Sequence, residues 1–379
     1  MWKEANMRKN RWLTAALCAA LMIAAFGCSG EEVQKVEDFV DFFVEMPEGR
    51  PLRILQLTDT QIIDASQARR ADRLSVYEKN IYAKNKIDEM CFDQMRRIVE
   101  RAEPDLILLT GDIVYGEFDD NGSSFEAVVA LMESFGVPWA PVYGNHDNES
   151  AMGVEWQNQQ FLNTEHCLFR TRPEIIGNGN YTIGIRRNGE LLRVIYMMDS
   201  NGCGYSWAEN TNMKLEPGFF SDQTEWLARN AAGVDLAAGR KVPSFLAMHI
   251  PPKEYETALI AAGYQDERDA AFVFKYTLGA EENDFETKDG DFGAKGEKVS
   301  SWSQNGFWEV LKSANIDGVF AGHCHQNNYS VMYEGIRLTF GLKTGYYDYH
   351  TKEQTGGTLI RVEENATFRV EHLYDAESA

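Results

Sequence analysis

Leu52-Arg53-Ile54-Leu55-Gln56-Leu57 opens a series of short apolar runs along this chain, and its alternation predicts a strand. Asp105 to Leu109 is a continuous apolar run, as a strand buried on both faces requires. Pro138 to Tyr143, Leu191 to Met198, Pro243 to Met248 and Ile316 to Ala321 read similarly. Helical patterns lie between them. Ile87, Met90, Cys91, Met95 and Ile98 recur at helical spacing with charged residues between. Ser123-Ser124-Phe125-Glu126 reads as a capping box opening a second helix, which carries Val128, Leu131, Met132 and Phe135 and stops at Gly136. Asp222-Gln223-Thr224-Glu225 opens a third, with Trp226 and Leu227 facing inward, and Phe307, Trp308, Val310 and Leu311 mark a fourth. Strands alternating with helices predict an α/β fold. Hairpin-like strands at Tyr329 to Phe340 and Gly357 to Val362 add a second sheet.

In such a fold, functional residues gather beyond the carboxyl ends of strands. Asp59, Asp112, Asn145, His249 and His323 each follow an apolar run closely. They belong to four motifs in fixed order: Asp59-Thr60-Gln61, Gly111-Asp112-Ile113-Val114-Tyr115, Gly144-Asn145-His146-Asp147 and Gly322-His323-Cys324-His325. His249 stands between the last two. Each piece alone is weak, because Gly-Asn is a common turn and Gly-Asp ends many strands. Gly-His-x-His is stronger, since imidazoles two apart leave an extended segment on the same side. Cys324 between them reads as a small buried residue.

The size and charge of the chain narrow the chemistry. With 379 residues, 44% of them hydrophobic, the chain builds one large core or at most two domains. The net charge of −21 argues against nucleic acid as a partner and leaves a small phosphate ester open. Hydrolysing such an ester needs a nucleophile at neutral pH, neutralised phosphoryl charge and a stabilised leaving oxygen. Two metal ions about 3.5–4 Å apart meet all three needs. Asp112, at a strand end, is placed to bridge them, and imidazole with carboxylate suits zinc, iron or manganese.

The motif order resembles the calcineurin-like metallophosphoesterase superfamily from Leu52 to about Tyr374. Tyr181-Thr182-Ile183, Asp199-Ser200, His249-Ile250-Pro251-Pro252 and Lys343-Thr344-Gly345-Tyr346 resemble its purple-acid-phosphatase-like branch. The resemblance implies a β-sandwich of two mixed sheets flanked by helices. It implies two divalent or mixed-valence metal ions (zinc, manganese or iron), with Asp59 and His325 on the first, Asp112 bridging, and Asn145, His249 and His323 on the second. His146 would face the phosphate as general acid or charge stabiliser, with Asp147 orienting its ring. A hydroxide activated by the metals would attack a small phosphate mono- or diester. The alternative is a catalytically impaired, phosphate- or metal-binding surface lipoprotein.

Gln61 departs from the Asp-x-His form of the first motif. Its amide oxygen coordinates a harder ion, or water fills the position, or another residue substitutes. Tyr115 makes the last reading concrete, because Gly-Asp-x-x-Tyr is how true purple acid phosphatases supply a phenolate to ferric iron. The plainer reading of Tyr115 is an aromatic packed at a loop. His166, His350 and His372 read as structural. Tyr77, Tyr82, Tyr205, Trp207, Phe219 and Phe220 are candidates to stack on a nucleoside or sugar, or ordinary packing.

The remaining segments concern targeting and access. Lys3, Arg8, Lys9 and Arg11 precede an apolar stretch from Leu13 to Phe26, short for a bilayer span. It ends at Ala25-Phe26-Gly27-Cys28-Ser29, which resembles a bacterial lipoprotein cleavage site although position 25 normally carries a larger aliphatic. The expectation is a lipoprotein signal peptide at residues 1–27 and a lipid on Cys28 that tethers the protein to a membrane surface, periplasmic or cell-surface. The alternative is a secreted protein. Residues 28–49 read as a polar tether and residues 50–376 as a single domain. Residues 253–300, acidic in their second half, fit no element pattern. Lying between His249 and His323, they read either as a lid or specificity insert or as a solvated excursion. Cys91, Cys167, Cys203 and Cys324 have the spacing of no zinc module.

Overall fold

A computed structural model describes residues 34–64, 87–202, 216–263, 272–273 and 290–375. The proposed signal peptide and Cys28 lie outside these residues. The strands are β1 (Phe42–Glu45), β2 (Leu52–Leu57), β3 (Leu106–Thr110), β4 (Trp139–Val142), β5 (Tyr181–Arg187), β6 (Glu190–Met197) and β7 (Ser244–Ala247), then β8 (Phe272–Val273), β9 (Ala294–Lys295), β10 (Ile316–Ala321), β11 (Ser330–Tyr333), β12 (Ile336–Phe340), β13 (Gly356–Val362) and β14 (Phe368–Tyr374). The helices are α1 (Ile87–Ala102), α2 (Ser123–Ser134), α3 (Val154–Leu162), α4 (Ser221–Ala238), α5 (Glu254–Ala261) and α6 (Phe307–Ser313).

One sheet runs β1-β5-β6-β7-β10-β12-β11 and the other β14-β13-β2-β3-β4; β8 and β9 pair separately. Both large sheets are mixed. In the larger, β6, β7, β10 and β12 are parallel, whereas β5 and β11 run antiparallel to β6 and β12. In the smaller, β2, β3 and β4 are parallel and β13 is antiparallel to β2 and β14.

Side-chain alternation divides the larger sheet between two cores. Ile195, Met197, Phe245, Ala247 and Phe320 join a core shared with Leu57, Leu109 and Val142 of the smaller sheet. Val194, Tyr196, Leu246, Val319 and Ala321 point the other way, onto Trp226, Leu227, Tyr255, Leu259, Phe307 and Leu311 of α4, α5 and α6. On the smaller sheet, α1 and α2 contribute Met95, Ile98, Phe125 and Met132 to the first core. The result is the β-sandwich flanked by helices that the sequence resemblance implied.

Several expectations need correction. The tether at 28–49 does not end at residue 49. Phe42–Glu45 forms β1, parallel to β5 with Phe42 opposite Ile183, and Val40, Val44 and Met46 are buried. Four residues among acidic neighbours are too few to show a period. The expected capping box at Ser123 is absent. Gly122 holds the N-cap position, and Asp119 accepts the N–H groups of Ser124 and Phe125 at 3.1 and 3.2 Å. The segment from 253 opens with helix α5, where Tyr255, Ala258 and Leu259 are buried at i, i+3 and i+4 and the Tyr255 hydroxyl donates to Val319 O at 2.9 Å. That part is core and not lid. Most of the acidic stretch lies outside the described residues. The C-terminal strands also separate: β11 and β12 extend the larger sheet, while β13 crosses to β2.

Candidate metal centre

The carboxyl ends of β2 and β3, in one sheet, and of β7 and β10, in the other, meet at one end of the sandwich. Each strand is followed at once by a motif residue: Asp59, Asp112, His249 and His323. Gln56 ties the sheets together beneath them, donating from Nε2 to Thr110 Oγ1 at 2.8 Å and Ala321 O at 3.2 Å. The turns are tight. Asp59, Gln61, Asp112 and His323 have φ of 55°, 46°, 48° and 73°, a left-handed backbone that costs a non-glycine residue on the order of 1–3 kcal/mol. Two motif glycines answer to crowding. A Cβ at Gly144 would collide with Asp112, and one at Gly322 would lie 2.6 Å from Asp59 Oδ2.

Ligand atoms of Asp59, Asp112 and His325 lie within 4.8 Å of one another, and so do those of Asp112, His249 and His323. Asp112 is common to both groups. His249 Nε2 lies 3.2 Å from Asp112 Oδ2 and 3.9 Å from Asp59 Oδ1, and His325 Nε2 lies 3.4 Å from Asp59 Oδ1. The other ring nitrogens fix the tautomers. His249 Nδ1 donates to Thr110 O at 2.9 Å and His325 Nδ1 to Tyr349 O at 2.8 Å, which turns each Nε2 inward as the basic atom. The backbone N–H of His323 donates to both carboxylate oxygens of Asp59, at 3.1 and 3.0 Å.

One acceptor in this cluster, Asn145 Oδ1, is buried with no hydrogen-bond partner, while His249 Nε2 faces Asp112 Oδ2. Buried polar atoms are almost always paired, so such an orphan needs a reason. Beside two aspartates a cation would supply that partner, and the residues present fit a pair of metal ions. Asn145 and His323 also line a cleft of about 210 Å³ with Ile250, Pro217, Ser300 and Ser301. Ser300 Oγ lies 3.2 Å from His323 Nε2.

The charges are strongly coupled. Burial opposes ionisation of Asp59 and Asp112, yet His249 and the neighbouring imidazoles hold both carboxyls below the usual range. Burial lowers His249, but Asp112 and Asp59 overcome it and raise its pKa to about 10. Desolvation and the facing charge of His249 push half-buried His323 down to about 3.

His146 stands beside the cluster. Its backbone N–H donates to Asp112 Oδ1 at 2.8 Å, its Nδ1 lies 2.7 Å from Glu149 Oε2, and its ring packs on Tyr115 with centroids 4.0 Å apart. Burial would lower its pKa, but Asp112 and Glu149 push it up to about 9. Asp147 does not orient this ring, contrary to expectation. It accepts the N–H groups of Gly144 at 2.7 Å and Val114 at 3.1 Å, so it shapes the loop, and burial raises it to about 7. Glu149 follows His146 by one turn of a 3-10 helix, and that spacing was the available signal for it.

Gln61 is fully buried. Its Oε1 accepts from Lys343 Nζ at 2.8 Å, and its Nε2 lies 3.4 Å from Asp112 Oδ2. The amide oxygen is therefore already engaged, contrary to the first reading of Gln61. Tyr115 packs on Phe118 as well as His146, with centroids 5.0 Å apart. Among the aromatic candidates, Phe219 packs on Trp302 and Phe307, while Tyr77, Tyr82, Tyr205 and Trp207 lie outside the described residues. Cys91, Cys167 and Cys324 are free, Cys324 being buried, and Cys203 is outside the described residues.

Residues 52–327 match the model of the calcineurin-like phosphoesterase family. The chain belongs to that family. It is 45% identical over 273 residues to a protein of Arabidopsis thaliana named probable inactive purple acid phosphatase 28, with 67% of this chain and 62% of the relative covered. It is 24% identical over 279 residues, again 67% and 62%, to probable inactive purple acid phosphatase 14 of the same plant. The match thus spans 62% of the length of each relative. Among solved structures, a dimetal phosphatase from Danio rerio aligns over 85% of this chain and 99% of its own at 11% identity, with a TM-score of 0.47.

Proposed function

We propose that this protein is a metal-dependent phosphoesterase acting on a small phosphate mono- or diester. The observation that carries this reading is the Asp112 carboxylate shared by two groups of ligand atoms, beside the buried, unpartnered Oδ1 of Asn145. Asp59, Asp112 and His325 would hold one ion, and Asp112, Asn145, His249 and His323 the other. When bound, such ions supply an activated water and neutralise phosphoryl charge. His146, with the Glu149 carboxylate against its Nδ1, would balance charge on the phosphate and deliver a proton from Nε2 to the leaving oxygen.

The test is turnover of nitrophenyl phosphate and bis-nitrophenyl phosphate with bound metal measured in parallel. Asp112→Asn and His323→Ala are expected to reduce both rates to background with the circular dichroism spectrum intact. Unchanged turnover in either variant overturns the assignment. A second reading, a binding protein with impaired chemistry, draws on Gln61 and on the word inactive in the names of the plant relatives. Full metal content with no turnover on either ester would favour it. We also infer export as a lipoprotein, on the basic, apolar and Gly27-Cys28 pattern of the leader. Incorporation of labelled palmitate that persists in Cys28→Ala would refute this.

A further inference from the structure

Lys343 follows β12, and its backbone is fixed by a parallel bridge to Thr58. Its side chain is buried, and Nζ donates to the backbone oxygen of Asp59 at 2.7 Å and to Gln61 Oε1 at 2.8 Å. A lysine nitrogen only donates, so the Gln61 oxygen must face it and the Gln61 Nε2 must face Asp112. The Gln61 backbone has no freedom to undo this. Its N–H donates to Asp112 O at 2.8 Å, and its φ of 46° sits in a confined left-handed well.

We propose that the Lys343–Gln61 pair makes the two metal positions unequal, so that the position of Asp59, Asp112 and His325 holds its ion more weakly and is the one that exchanges. This rests on the two-metal reading above. Four protein groups serve the other position: Asp112, Asn145, His249 and His323. The weaker position has three, because the residue that would complete it presents an N–H edge. Lys343 also brings a basic nitrogen to the back of Asp59. A missing ligand together with a cation nearby lowers metal affinity by more than about tenfold. The departure at Gln61 is in this view a device for occupancy and not a simple loss.

The experiment is calorimetric titration of Mn²⁺ into the metal-stripped protein, with electron paramagnetic resonance counting the bound ions. Wild type is expected to show two steps more than about tenfold apart, and His325→Ala to remove only the weaker. Gln61→His alone leaves the weaker step near its wild-type value, because Lys343 still takes the acceptor nitrogen of residue 61 and leaves its N–H edge facing the metal position. Gln61→His with Lys343→Met tightens that step at least about tenfold and leaves the stronger step unmoved. Equal steps in wild type overturn the proposal, and so does full tightening by Gln61→His alone. If the double variant does not fold, the Gln61→His arm decides by itself. Absence of any Mn²⁺ uptake in wild type overturns the two-metal reading, which is distinguishable from two equal steps.

Discussion

His146 Nδ1 lies 2.7 Å from Glu149 Oε2, while the adjacent carboxylate, Asp147, spends both oxygens on backbone N–H groups. The 3-10 turn Asp147–Glu149 brings this about. It places residue 149 back over residue 146 and turns residue 147 into the loop. Division of labour between the two acids follows: Asp147 keeps the Gly144 turn closed around Asp112, and Glu149 fixes the tautomer and charge of His146.

Glu149→Gln is therefore predicted to lower kcat by about ten- to a hundredfold with little change in KM. The glutamine keeps a hydrogen bond to Nδ1 and removes the charge. The His146 pKa, raised to about 9, then falls. Its protonated form is present below that pKa, so a rate that needs the imidazolium is lost at lower pH in the variant. The measurement is the pH–rate profile, where the alkaline limb moves to lower pH. A lowered rate with an unmoved limb would assign Glu149 a structural role only.

Much of this was legible in the chain, for a physical reason. Strands buried on both faces, such as Leu106–Thr110 and Trp139–Val142, stand out as continuous apolar runs, and their ends locate the ligands that follow. Short edge elements carry too few residues for a period, which hid Phe42–Glu45. Val154–Leu162 was hidden because its face mixes Gln157 and Asn158 with Phe161. Lys343 belonged to a recognised motif but had no visible task. Its partner Gln61 is 282 residues away, and no local pattern encodes that approach.

Tyr115 lies against His146 with ring centroids 4.0 Å apart and an interplanar angle of 32°. Support for the imidazole needs the ring and not the hydroxyl. Tyr115→Phe is predicted to keep activity within about twofold of wild type, and Tyr115→Ala to lower kcat by about tenfold through a misplaced His146. A visible charge-transfer band in the iron-loaded protein that vanishes in Tyr115→Phe would instead make the phenol a metal ligand.

Gly144 has no room for a side chain, because a Cβ there meets the backbone N and carboxylate of Asp112. Gly144→Ala is predicted to destabilise the protein by about 1–3 kcal/mol, as overpacking does, and to displace the bridging carboxylate. Urea denaturation should show the first effect and metal analysis the second. Full metal content in a folded Gly144→Ala protein would mean that Asp112 can move without loss of either ion.

His372 predicts a pH dependence of stability away from the metal centre. Its Nε2–H donates to Asn328 O at 2.6 Å, and its Nδ1 accepts from Thr358 Oγ1 at 2.9 Å, whose oxygen in turn takes the Leu342 N–H at 3.1 Å. Both nitrogens thus suit the neutral ring, and burial pushes its pKa down to about 4, against some opposition from Asn328. The unfolded chain binds a proton at this residue near pH 6.5, whereas the folded protein refuses it until about pH 4. The stabilisation is complete above pH 6.5 and is lost as the pH falls through that window. Allowing for partial exposure of the ring, it is worth about 2 kcal/mol. Urea midpoints measured with chelator present, at neutral pH and near pH 4.5, should therefore fall more steeply in wild type than in His372→Gln. Parallel slopes in the two proteins would show that His372 takes up its proton without cost to the fold.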